Sequence, residues 1–490
     1  MHWLTSWEFI WLLITEGILR IGLAVHVILR RRPVTTSLAW LSIILFLPVA
    51  GLVFYFLIGE VRLGSRRAKK YEQITKPLEE SALRILGHRR LAARHVPEEH
   101  EPISRFGEAV TGLQPLRGNA LTLFGDNISM LEALKADIDA AKQHIHMCYY
   151  IYNPDRAGTI IATALAAAAK RGVAVRLLVD GSGSSCFLKH PLCDQLRSAG
   201  VQVVEALPTH IWRMAFRRLD LRNHRKIAVF DGRIGYCGSQ NIIDVGYKSP
   251  RWKKAGSWID ATVRVVGPAA QELAVTFLRD WQLDSDENIT SCDPFLPEPE
   301  PITDPDTCTA AVQLIASGPG PTPQAIHQAI LTAIYSARKE IILTTPYFVP
   351  DAALLEALIA AATRQVRVVL VLPDVSDAPL VAAAGRAHYD ELLEAGVEIY
   401  EYLGGLLHSK IMTMDGKLSM VGSTNMDQRS FFLNFEATLF IYDEPFSGEV
   451  RKLQTDYMSR SQKLKPEEWK SRSVLARLRD NSAQLLGPLL

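Results

Sequence analysis

The chain contains the pattern His-x-Lys-x-x-x-x-Asp twice, and the two copies sit in matching local sequence. The first copy reads HRKIAVFDG (224–232) and the second reads HSKIMTMDG (408–416). The same downstream residues follow both copies at equal distances, namely Gly238, Ser239 and Asn241 in the first and Gly422, Ser423 and Asn425 in the second. A single copy of so short a pattern carries little weight, but two copies in the same frame indicate a duplicated unit with one shared function.

The duplication extends upstream of the motifs. Three further pairs of segments align, namely 141–155 with 337–351, 164–179 with 357–372, and 199–205 with 395–401. Each repeat is predicted to form three helix–strand units followed by a hairpin that carries the motif, so we expect an α/β sheet with helices on its faces. Two such units in one chain are expected to pack with pseudo-two-fold symmetry, which would place the two motifs on opposite sides of one pocket.

Each motif is expected to form a β-hairpin. The β-favouring runs IAVF and IMTM both end at Asp-Gly, which predicts a two-residue turn. Because side chains alternate along a strand, each motif histidine should share a face with the lysine two residues later; the pairs are His224 with Lys226 and His408 with Lys410. Asp231 and Asp415 fall at the turns, so we expect them to be mainly structural.

The doubled set of His, Lys and Asn predicts phosphodiester chemistry. Cations and amides are needed on the non-bridging oxygens, a role expected for Lys226, Lys410, Asn241 and Asn425. One histidine would attack phosphorus, and the other would protonate the leaving alkoxide and then deprotonate the acceptor hydroxyl. No group of Cys and His has the spacing of a zinc site, and a lysine beside each histidine would repel a cation, so we expect neither a metal ion nor a cofactor.

An attacking histidine must be neutral, with its other ring nitrogen held by an acceptor. Glu436 lies on a predicted strand downstream of His408 and is the candidate partner of that histidine, while Asp260 is the matching candidate for His224. The alternative for both acids is an ordinary surface carboxylate. Ser239 and Ser423 are grouped with the supporting, phosphate-binding residues.

The N-terminal region predicts attachment to a membrane. Residues 34–59 carry no charge and are long enough to span a bilayer. Residues 7–29 form a second apolar stretch, in which Glu16 and Arg20 are spaced to pair within one helix; an interfacial or re-entrant helix is the alternative. If both segments span, the basic clusters at 30–32 and 62–70 lie on opposite sides of the membrane, so the positive-inside rule leaves the orientation open; the larger cluster, at 62–70, favours a cytoplasmic catalytic body.

These segments divide the chain into six parts. They are a membrane anchor at 1–62, a charged helical connector at 63–110, repeat one at 111–283, an acidic Pro-rich linker at 284–307, repeat two at 308–465 and an amphipathic tail at 466–490. The tail is expected either to lie on the membrane surface or to dock on the protein. The extra segment 208–222 of repeat one either contacts lipid and anionic headgroups or forms a basic solvated helix.

Composition narrows the classes of partner. The chain has 54 Lys and Arg against 52 Asp and Glu, so its net charge is only +2. A protein that binds duplex nucleic acid should carry a basic stripe, and we therefore expect no nucleic-acid partner. The six cysteines include no CxxC pair and are interpreted as thiols in a reducing compartment.

The paired motifs with their G-S-x-N sequences resemble those of the phospholipase D superfamily. Within it, segments 220–242 and 404–441, the two N-terminal apolar segments, the length and the ending LLGPLL resemble bacterial cardiolipin synthases. The resemblance covers essentially the whole chain. It implies transfer of a phosphatidyl group from one phosphatidylglycerol to another, which yields cardiolipin and glycerol through a phosphatidyl-histidine intermediate.

The same resemblance implies roles for particular residues. His224 would be the nucleophile and His408 the general acid and base, although the pseudo-symmetry leaves open which histidine attacks. It also implies a multi-pass protein of the inner (cytoplasmic) membrane whose partners are phosphatidylglycerol, cardiolipin and the bilayer, with no obligatory protein partner. The alternatives are a hydrolytic phospholipase D or another phosphatidyltransferase, and less favoured are a nuclease of the superfamily and a non-enzymatic membrane scaffold.

Overall fold

The computed structural model describes residues 6–30, 34–47, 49–55, 59, 70–87, 96–208, 221–244, 246, 256–298, 310–319 and 323–487. Most of the segment 208–222, with its expected lipid contacts, lies outside these ranges. The same is true of nearly all of the basic cluster at 62–70 and of residues 299–307 of the predicted linker.

Three helices open the described chain, namely α1 (Ser6–Leu29), α2 (Val34–Phe46) and α3 (Ala50–Phe54). Among the described residues, only α1 is long and apolar enough to cross a membrane, over Trp7–Leu29. Glu16 and Arg20 pair within it at 2.6 Å, as predicted. Within residues 34–59, which were expected to be long enough to span a bilayer, α2 ends at Phe46 and α3 begins at Ala50; helices usually stop ahead of a proline such as Pro48.

The connector is helical where it is described. It contains a π-helical turn (Tyr71–Thr75), α4 (Lys76–Gly87), a 3-10 turn (Glu98–His100) and α5 (Glu101–Thr111). Leu78, Ala82 and Leu86 are spaced four residues apart on α4 and are buried in the largest apolar cluster of the protein. The described part of the connector is therefore packed into the body of the protein.

The two repeats follow the predicted order of elements. Repeat one contains β1 (Leu116–Phe124), α6 (Asn127–Ala140), β2 (His144–Tyr149), α7 (Arg156–Lys170), β3 (Ala174–Asp180), α8 (Ser185–Leu188), α9 (Pro191–Ser198), β4 (Gln202–Ala206), β5 (Ile227–Phe230), β6 (Ile234–Gly238), β7 (Trp258–Ile259), β8 (Thr262–Val266), α10 (Ala269–Asp284) and a 3-10 turn (Asp293–Phe295).

Repeat two and the tail complete the chain. They contain β9 (Ala310–Ser317), α11 (Ala325–Ser336), β10 (Glu340–Thr344), β11 (Phe348–Val349), α12 (Ala352–Thr363), β12 (Arg367–Pro373), α13 (Pro379–Arg386), α14 (Tyr389–Glu394), β13 (Glu398–Tyr402), β14 (Leu406–Leu407), β15 (Ile411–Met414), β16 (Leu418–Gly422), β17 (Met426–Asp427), α15 (Gln428–Phe432), β18 (Glu436–Tyr442), α16 (Glu444–Ser459), β19 (Ser461–Lys463), α17 (Pro466–Lys470) and α18 (Val474–Gln484).

Local sequence explains where the helices of the repeats begin. Asp155 caps α7 and Asp351 caps α12, each by accepting a hydrogen bond from a backbone N–H of the first turn. These two aspartates are equivalent positions in the aligned segments 141–155 and 337–351. The duplication therefore preserves the start signal of the helix as well as the strand before it.

The sheet shows the duplication directly. Repeat one has the strand order β1-β8-β6-β5-β2-β3-β4, and repeat two has the equivalent order β9-β18-β16-β15-β10-β12-β13, with β19 added at its edge. The antiparallel pair of β1 and β9 joins the halves into one sheet of 15 strands. The prediction of two α/β repeats related by a pseudo-two-fold axis is confirmed.

The largest apolar cluster is built by both repeats. Ile227 and Cys237 enter it from repeat one, and Val421 and Leu439 enter it from repeat two. Since each half covers an apolar face of the other, the two halves stabilise one another and hold their motif strands at a fixed separation. Separate clusters cover the opposite faces of the two repeats.

Two peripheral segments are packed onto this body. Where the predicted linker is described, Cys292 and Leu296 are buried, and Glu287 pairs with Arg176 at 2.6 Å. In the tail, Ala483 of α18 packs against Ala383 and Ala384 of α13. The tail was expected either to lie on the membrane surface or to dock on the protein, and one face of α18 docks on the protein.

Candidate active site

Each motif begins on a segment that the other repeat holds in place. The His224 backbone N–H donates to the Phe435 carbonyl at 2.9 Å, directly before β18. The His408 N–H donates to the Ile259 carbonyl at 2.7 Å, and β14 pairs in parallel with β7. Both histidines precede their strands, β5 and β15, instead of lying within them as the hairpin prediction implied.

This crossed pairing decides which carboxylate meets which histidine. His224 Nδ1 lies 3.0 Å from Glu436 Oε1 and 3.1 Å from Oε2, while His408 Nδ1 lies 2.6 Å from Asp260 Oδ1. The predicted partners were wrong in both cases, since each histidine takes its carboxylate from the opposite repeat. The reason is that Glu436 follows Phe435 and Asp260 follows Ile259, the residues that bind the backbone of the opposite motif.

The two serines hold the carboxylates from within each repeat. Ser239 Oγ donates to Asp260 Oδ1 at 2.7 Å, and Ser423 Oγ donates to Glu436 Oε2. Both serine side chains are fully buried. Their geometry supports a role in orienting the acids and does not support the phosphate contact expected from sequence.

The motif aspartates bind backbone. Asp231 accepts hydrogen bonds at 2.8 Å from three consecutive backbone N–H groups, those of residues 142–144. Asp415 does the same for residues 338–340, at 2.7 to 2.9 Å. These contacts fix the start of β2 to the turn after β5, and of β10 to the turn after β15, in agreement with the structural role expected for both aspartates.

The motif turns differ in length from the prediction. Phe230 pairs with Ile234 and Met414 with Leu418, so three residues connect the strands instead of two. Asp231 and Asp415 have φ of 51° and 53°, and a glycine with positive φ follows each. Asp and Gly tolerate this left-handed region better than other residues, which explains the Asp-Gly pair in both motifs.

The two lysines lie close to both histidines. Lys226 Nζ donates to the His224 carbonyl at 2.6 Å, and Lys410 Nζ donates to the His408 carbonyl at 2.7 Å. Burial lowers the pKa of Lys226 to about 8 and that of Lys410 to about 7. The charge of Lys226 lowers the pKa of Lys410 further, so the two motifs meet in one electropositive site.

Burial also keeps the two histidines neutral. It lowers the pKa of His224 to about 4 and that of His408 to about 3, and the lysine charges act in the same direction. Each Nδ1 faces a carboxylate, which can only accept a hydrogen bond when ionised, so the proton of each ring resides on Nδ1. The Nε2 lone pair of both rings is then available for attack or for taking a proton.

The asparagines differ in how they are held. Asn241 Oδ1 accepts a hydrogen bond from the Ile151 backbone N–H at 3.0 Å, and its buried Nδ2 has no partner among the described residues. An unpaired buried amide donor is costly unless a ligand accepts from it, so this group fits a phosphate oxygen. The Asn425 backbone N–H is held by Ser430 Oγ at 3.3 Å.

Sequence reasoning missed three residues at the site. The Tyr150 ring lies 4.9 Å from the His224 ring, with Lys226 Nζ 5.4 Å from its centre, and the Trp258 ring lies 4.3 Å from that of His408. The repeat alignment gave no signal for the tyrosine, since its equivalent in repeat two is Pro346. The aromatic walls therefore break the symmetry of the site.

Arg225 is the third missed residue. It lies buried between the motif His and Lys, where its guanidinium pairs with Asp280 and donates to the carbonyls of Glu436 and Ser317 at 3.0 Å each. It therefore clamps the Glu436 strand of repeat two against His224. At the equivalent position Ser409 makes a neutral contact to the Ile259 carbonyl at 3.1 Å.

The side chains of the site are of the kinds that phosphoryl transfer requires. Over the described ranges, no three His, Cys, Asp or Glu side chains form a group that could hold a metal ion. The residues present supply two neutral imidazoles for nucleophilic and acid–base roles and two buried ammonium groups for the charge on oxygen.

Comparison with known proteins agrees with this geometry. The chain matches the family described as "Cardiolipin synthase, PLD-like domain" over residues 134–281 and 330–456, and "Phospholipase D-nuclease N-terminal" over 18–60. Curated relatives named "Cardiolipin synthase A" from Yersinia pseudotuberculosis and Yersinia pestis are 39% identical, covering 100% of this chain and 99% of theirs.

A solved structure supports the fold. The crystal structure of phosphatidylserine synthase from Haemophilus influenzae superposes with a TM-score of 0.59 at 15% identity, over 79% of this chain and all of that one. Its low identity makes it evidence for architecture alone. With the family match over both repeats and the full-length relatives, the chain belongs to the cardiolipin synthase family of the phospholipase D superfamily.

Proposed function

We propose that this protein transfers a phosphatidyl group from one phosphatidylglycerol to the terminal glycerol hydroxyl of another, giving cardiolipin and glycerol. The observation that carries the proposal is the pair of buried, neutral histidines, each held at Nδ1 by a carboxylate of the opposite repeat and flanked by two buried lysines. The full-length similarity to cardiolipin synthases supports the same reaction.

In the first step, His224 Nε2 attacks phosphorus. A P–N bond forms, the P–O bond to glycerol breaks, and the departing alkoxide takes a proton from Nε2 of His408. In the second step, the hydroxyl of the other phosphatidylglycerol gives its proton to His408, and its oxygen forms a new P–O bond as the P–N bond breaks. The proton from the acceptor hydroxyl replaces the one that His408 gave to glycerol, so His408 ends in its initial state. The reaction needs no nucleotide, because one phosphodiester replaces another.

The electrostatics of the site fit these steps. The free site keeps His224 neutral, as a nucleophile requires. Entry of the anionic phosphodiester between Lys226 and Lys410 offsets their charges, which favours the protonated form of His408 that the leaving group needs. In our assignment the Asn241 amide and the Asn425 side chain complete the set of contacts to the non-bridging oxygens.

The carboxylates take a positioning role in this mechanism. Glu436 and Asp260 hold the Nδ1 protons and stabilise the positive charge that each imidazole gains during reaction. Although burial alone would raise the pKa of Glu436, the hydrogen bonds from His224 and Ser423 and the charge of Lys226 hold it below its ordinary value, so the carboxylate is ionised. We therefore assign positioning roles to both acids and to their serine partners.

The membrane supplies both substrates of the proposed reaction. Helix α1 and the match of residues 18–60 support association with the bilayer. We propose that the protein resides in the inner (cytoplasmic) membrane as a multi-pass protein with its catalytic body in the cytoplasm, and that neither nucleic acid nor a protein partner is needed. A site at the bilayer surface would favour an alcohol over water as the acceptor.

A product assay tests the proposal. Purified protein in mixed micelles receives labelled phosphatidylglycerol with chelator and without nucleotide. Cardiolipin and glycerol as products, both lost in His224→Ala and in His408→Ala, are the expected result. Phosphatidic acid as the sole product would identify a hydrolytic phospholipase D, and no turnover of any phospholipid would overturn the proposal.

A further inference from the structure

The C-terminal helix α18 presents an apolar stripe to solvent. Its exposed side chains share one side of the helix; they are Val474, Leu475, Leu478 and, beyond its end, Leu485, each 61–78% exposed. Exposed leucines in such a row are uncommon on a water-facing helix, and a stripe of this kind usually marks a binding face.

The opposite side of α18 is locked onto the protein. Asp480 is fully buried, and its carboxylate accepts hydrogen bonds from Arg472 at 2.9 Å and from Arg479 at 2.8 Å. Arg386 of α13 lies 3.7 Å from the same carboxylate, and Ala483 is buried beside it. A buried carboxylate with three guanidinium partners fixes the rotation of the helix, so the apolar stripe is held outward.

The chain after α18 is linked to the active site through two short strands. The chain after α18 runs past Val349, where a Cβ on Gly487 would lie 3.6 Å from Cγ1. Val349 belongs to β11, which pairs with β17, and β17 follows directly after Asn425. Strands β11 and β17 thus connect the chain after α18 to Asn425, one of the site residues of repeat two.

The charge around the stripe selects the kind of partner. Arg477 is exposed on the helix, and Arg479 is also exposed while it pairs with Asp480, the only acid of the helix, which is buried. Nearby acids are already paired with lysines, Glu468 with Lys465 at 2.7 Å and Glu394 with Lys470 at 2.8 Å. A second copy of the chain would set arginine against arginine, whereas an anionic lipid surface complements both the arginines and the leucines.

We propose that α18 is an interfacial helix whose leucine stripe lies at the boundary between headgroups and acyl chains of an anionic bilayer, and which holds the active site against that surface. The chain would then have two separate membrane contacts, α1 and α18. The inference deepens the proposed function, because it accounts for how a lipid headgroup reaches the motifs, but its first test does not depend on that function.

The first test measures where α18 lies. The full-length protein carries Cys186→Ser and Cys308→Ser. A fluorescent label is attached to cysteine in Leu478→Cys or, as control, in Lys452→Cys at an exposed position of α16. Vesicles of phosphatidylglycerol and phosphatidylethanolamine contain nitroxide-labelled lipid, or iodide is present on both sides. We expect lipid quenching and protection from iodide at 478, and the reverse at 452.

Two results would overturn the proposal. Quenching of the 478 label by iodide to the same extent as the 452 label would place the helix in water. Protection from iodide without quenching by nitroxide lipid would place the stripe against protein, as in contact with a second copy. Both readouts are independent of whether the protein makes cardiolipin.

The second test measures the consequence for turnover. We expect Leu475→Asp with Leu478→Asp to lower turnover of vesicular phosphatidylglycerol on the order of tenfold, since apolar contact with the interface is lost. Turnover of short-chain, monomeric phosphatidylglycerol should be unchanged, as should both activities in the Lys452→Asp control. Equal losses of turnover on both substrates, or no loss on either, would overturn the inference. A parent protein without activity would refute the proposed function, and the quenching result would then decide whether α18 lies at the membrane.

Discussion

Replacement of Glu436 by glutamine tests the crossed arrangement of the site. The Glu436 carboxylate accepts hydrogen bonds from His224 Nδ1 at 3.0 and 3.1 Å, from Ser423 Oγ, and from Asn434 Nδ2 at 3.2 Å. Glutamine retains the size of the side chain but removes the charge and replaces one acceptor oxygen with a donor. The His224 ring then loses the group that holds its tautomer and stabilises its positive charge during attack.

The expected loss follows from these contacts. A hydrogen bond to a charged group is worth roughly 1.5–3 kcal/mol against about 0.5–1.5 kcal/mol for a neutral one, and a donor left facing a donor costs about 1–3 kcal/mol. Together these effects remove roughly 2–4 kcal/mol of transition-state stabilisation, which corresponds to about 30- to 1,000-fold in rate.

The assay separates the two steps of the reaction. A phosphatidyl ester with an aryl leaving group needs no protonation to depart, so its rapid burst reports attack by His224 without help from His408. We expect Glu436→Gln to slow the burst by the factor above. The Asp260→Asn control should leave the burst within about threefold of wild type and slow the second step, so that the phosphatidyl-enzyme adduct accumulates.

The opposite pattern would refute the crossed assignment. If Glu436 served His408, Glu436→Gln would give a normal burst and an accumulating adduct, and Asp260→Asn would abolish the burst. Denaturant unfolding of both variants in detergent checks that neither result comes from loss of the fold.

Three further predictions concern the pH dependence of the rate, the role of Asp231 at the first motif turn, and the contacts of Arg225 with repeat two. With the aryl ester, whose departure needs no protonated His408, kcat/KM should rise through a pH of about 4 as His224 loses its proton and fall above about 7 to 8 as Lys410 and Lys226 lose theirs. Lys410→Arg should move the alkaline limb upward, and an unmoved limb would contradict this. Asp231→Ala should lower the free energy of unfolding by about 3 kcal/mol, because three backbone donors lose their acceptor; an inactive variant of wild-type stability would instead indicate a chemical role. Arg225→Lys should slow adduct formation about tenfold with little change in KM, since two bonds to carbonyls of repeat two are lost, whereas an unchanged burst would exclude the clamp.

The repeated motif was sufficient to predict the class of fold and the chemistry. Hydrophobic alternation, the aligned segments and the Asp-Gly turns are local signals, and each predicted its element because neighbouring residues decide strand, helix and turn. Errors arose where a local pattern was extended too far. The Asp-Gly pairs predicted two-residue turns, but three residues connect the motif strands in each repeat.

The sequence by itself determined that two equivalent halves exist and that each carries a His, a Lys and a structural Asp. Only the tertiary structure decided that Glu436 serves His224 and Asp260 serves His408. The physical reason is that sequence spacing orders residues within one repeat, whereas these contacts depend on how the two halves pack around their shared core. Phe435 and Ile259 make the backbone bonds that set that register, and no pattern within either repeat encodes a contact that only the packed pair creates.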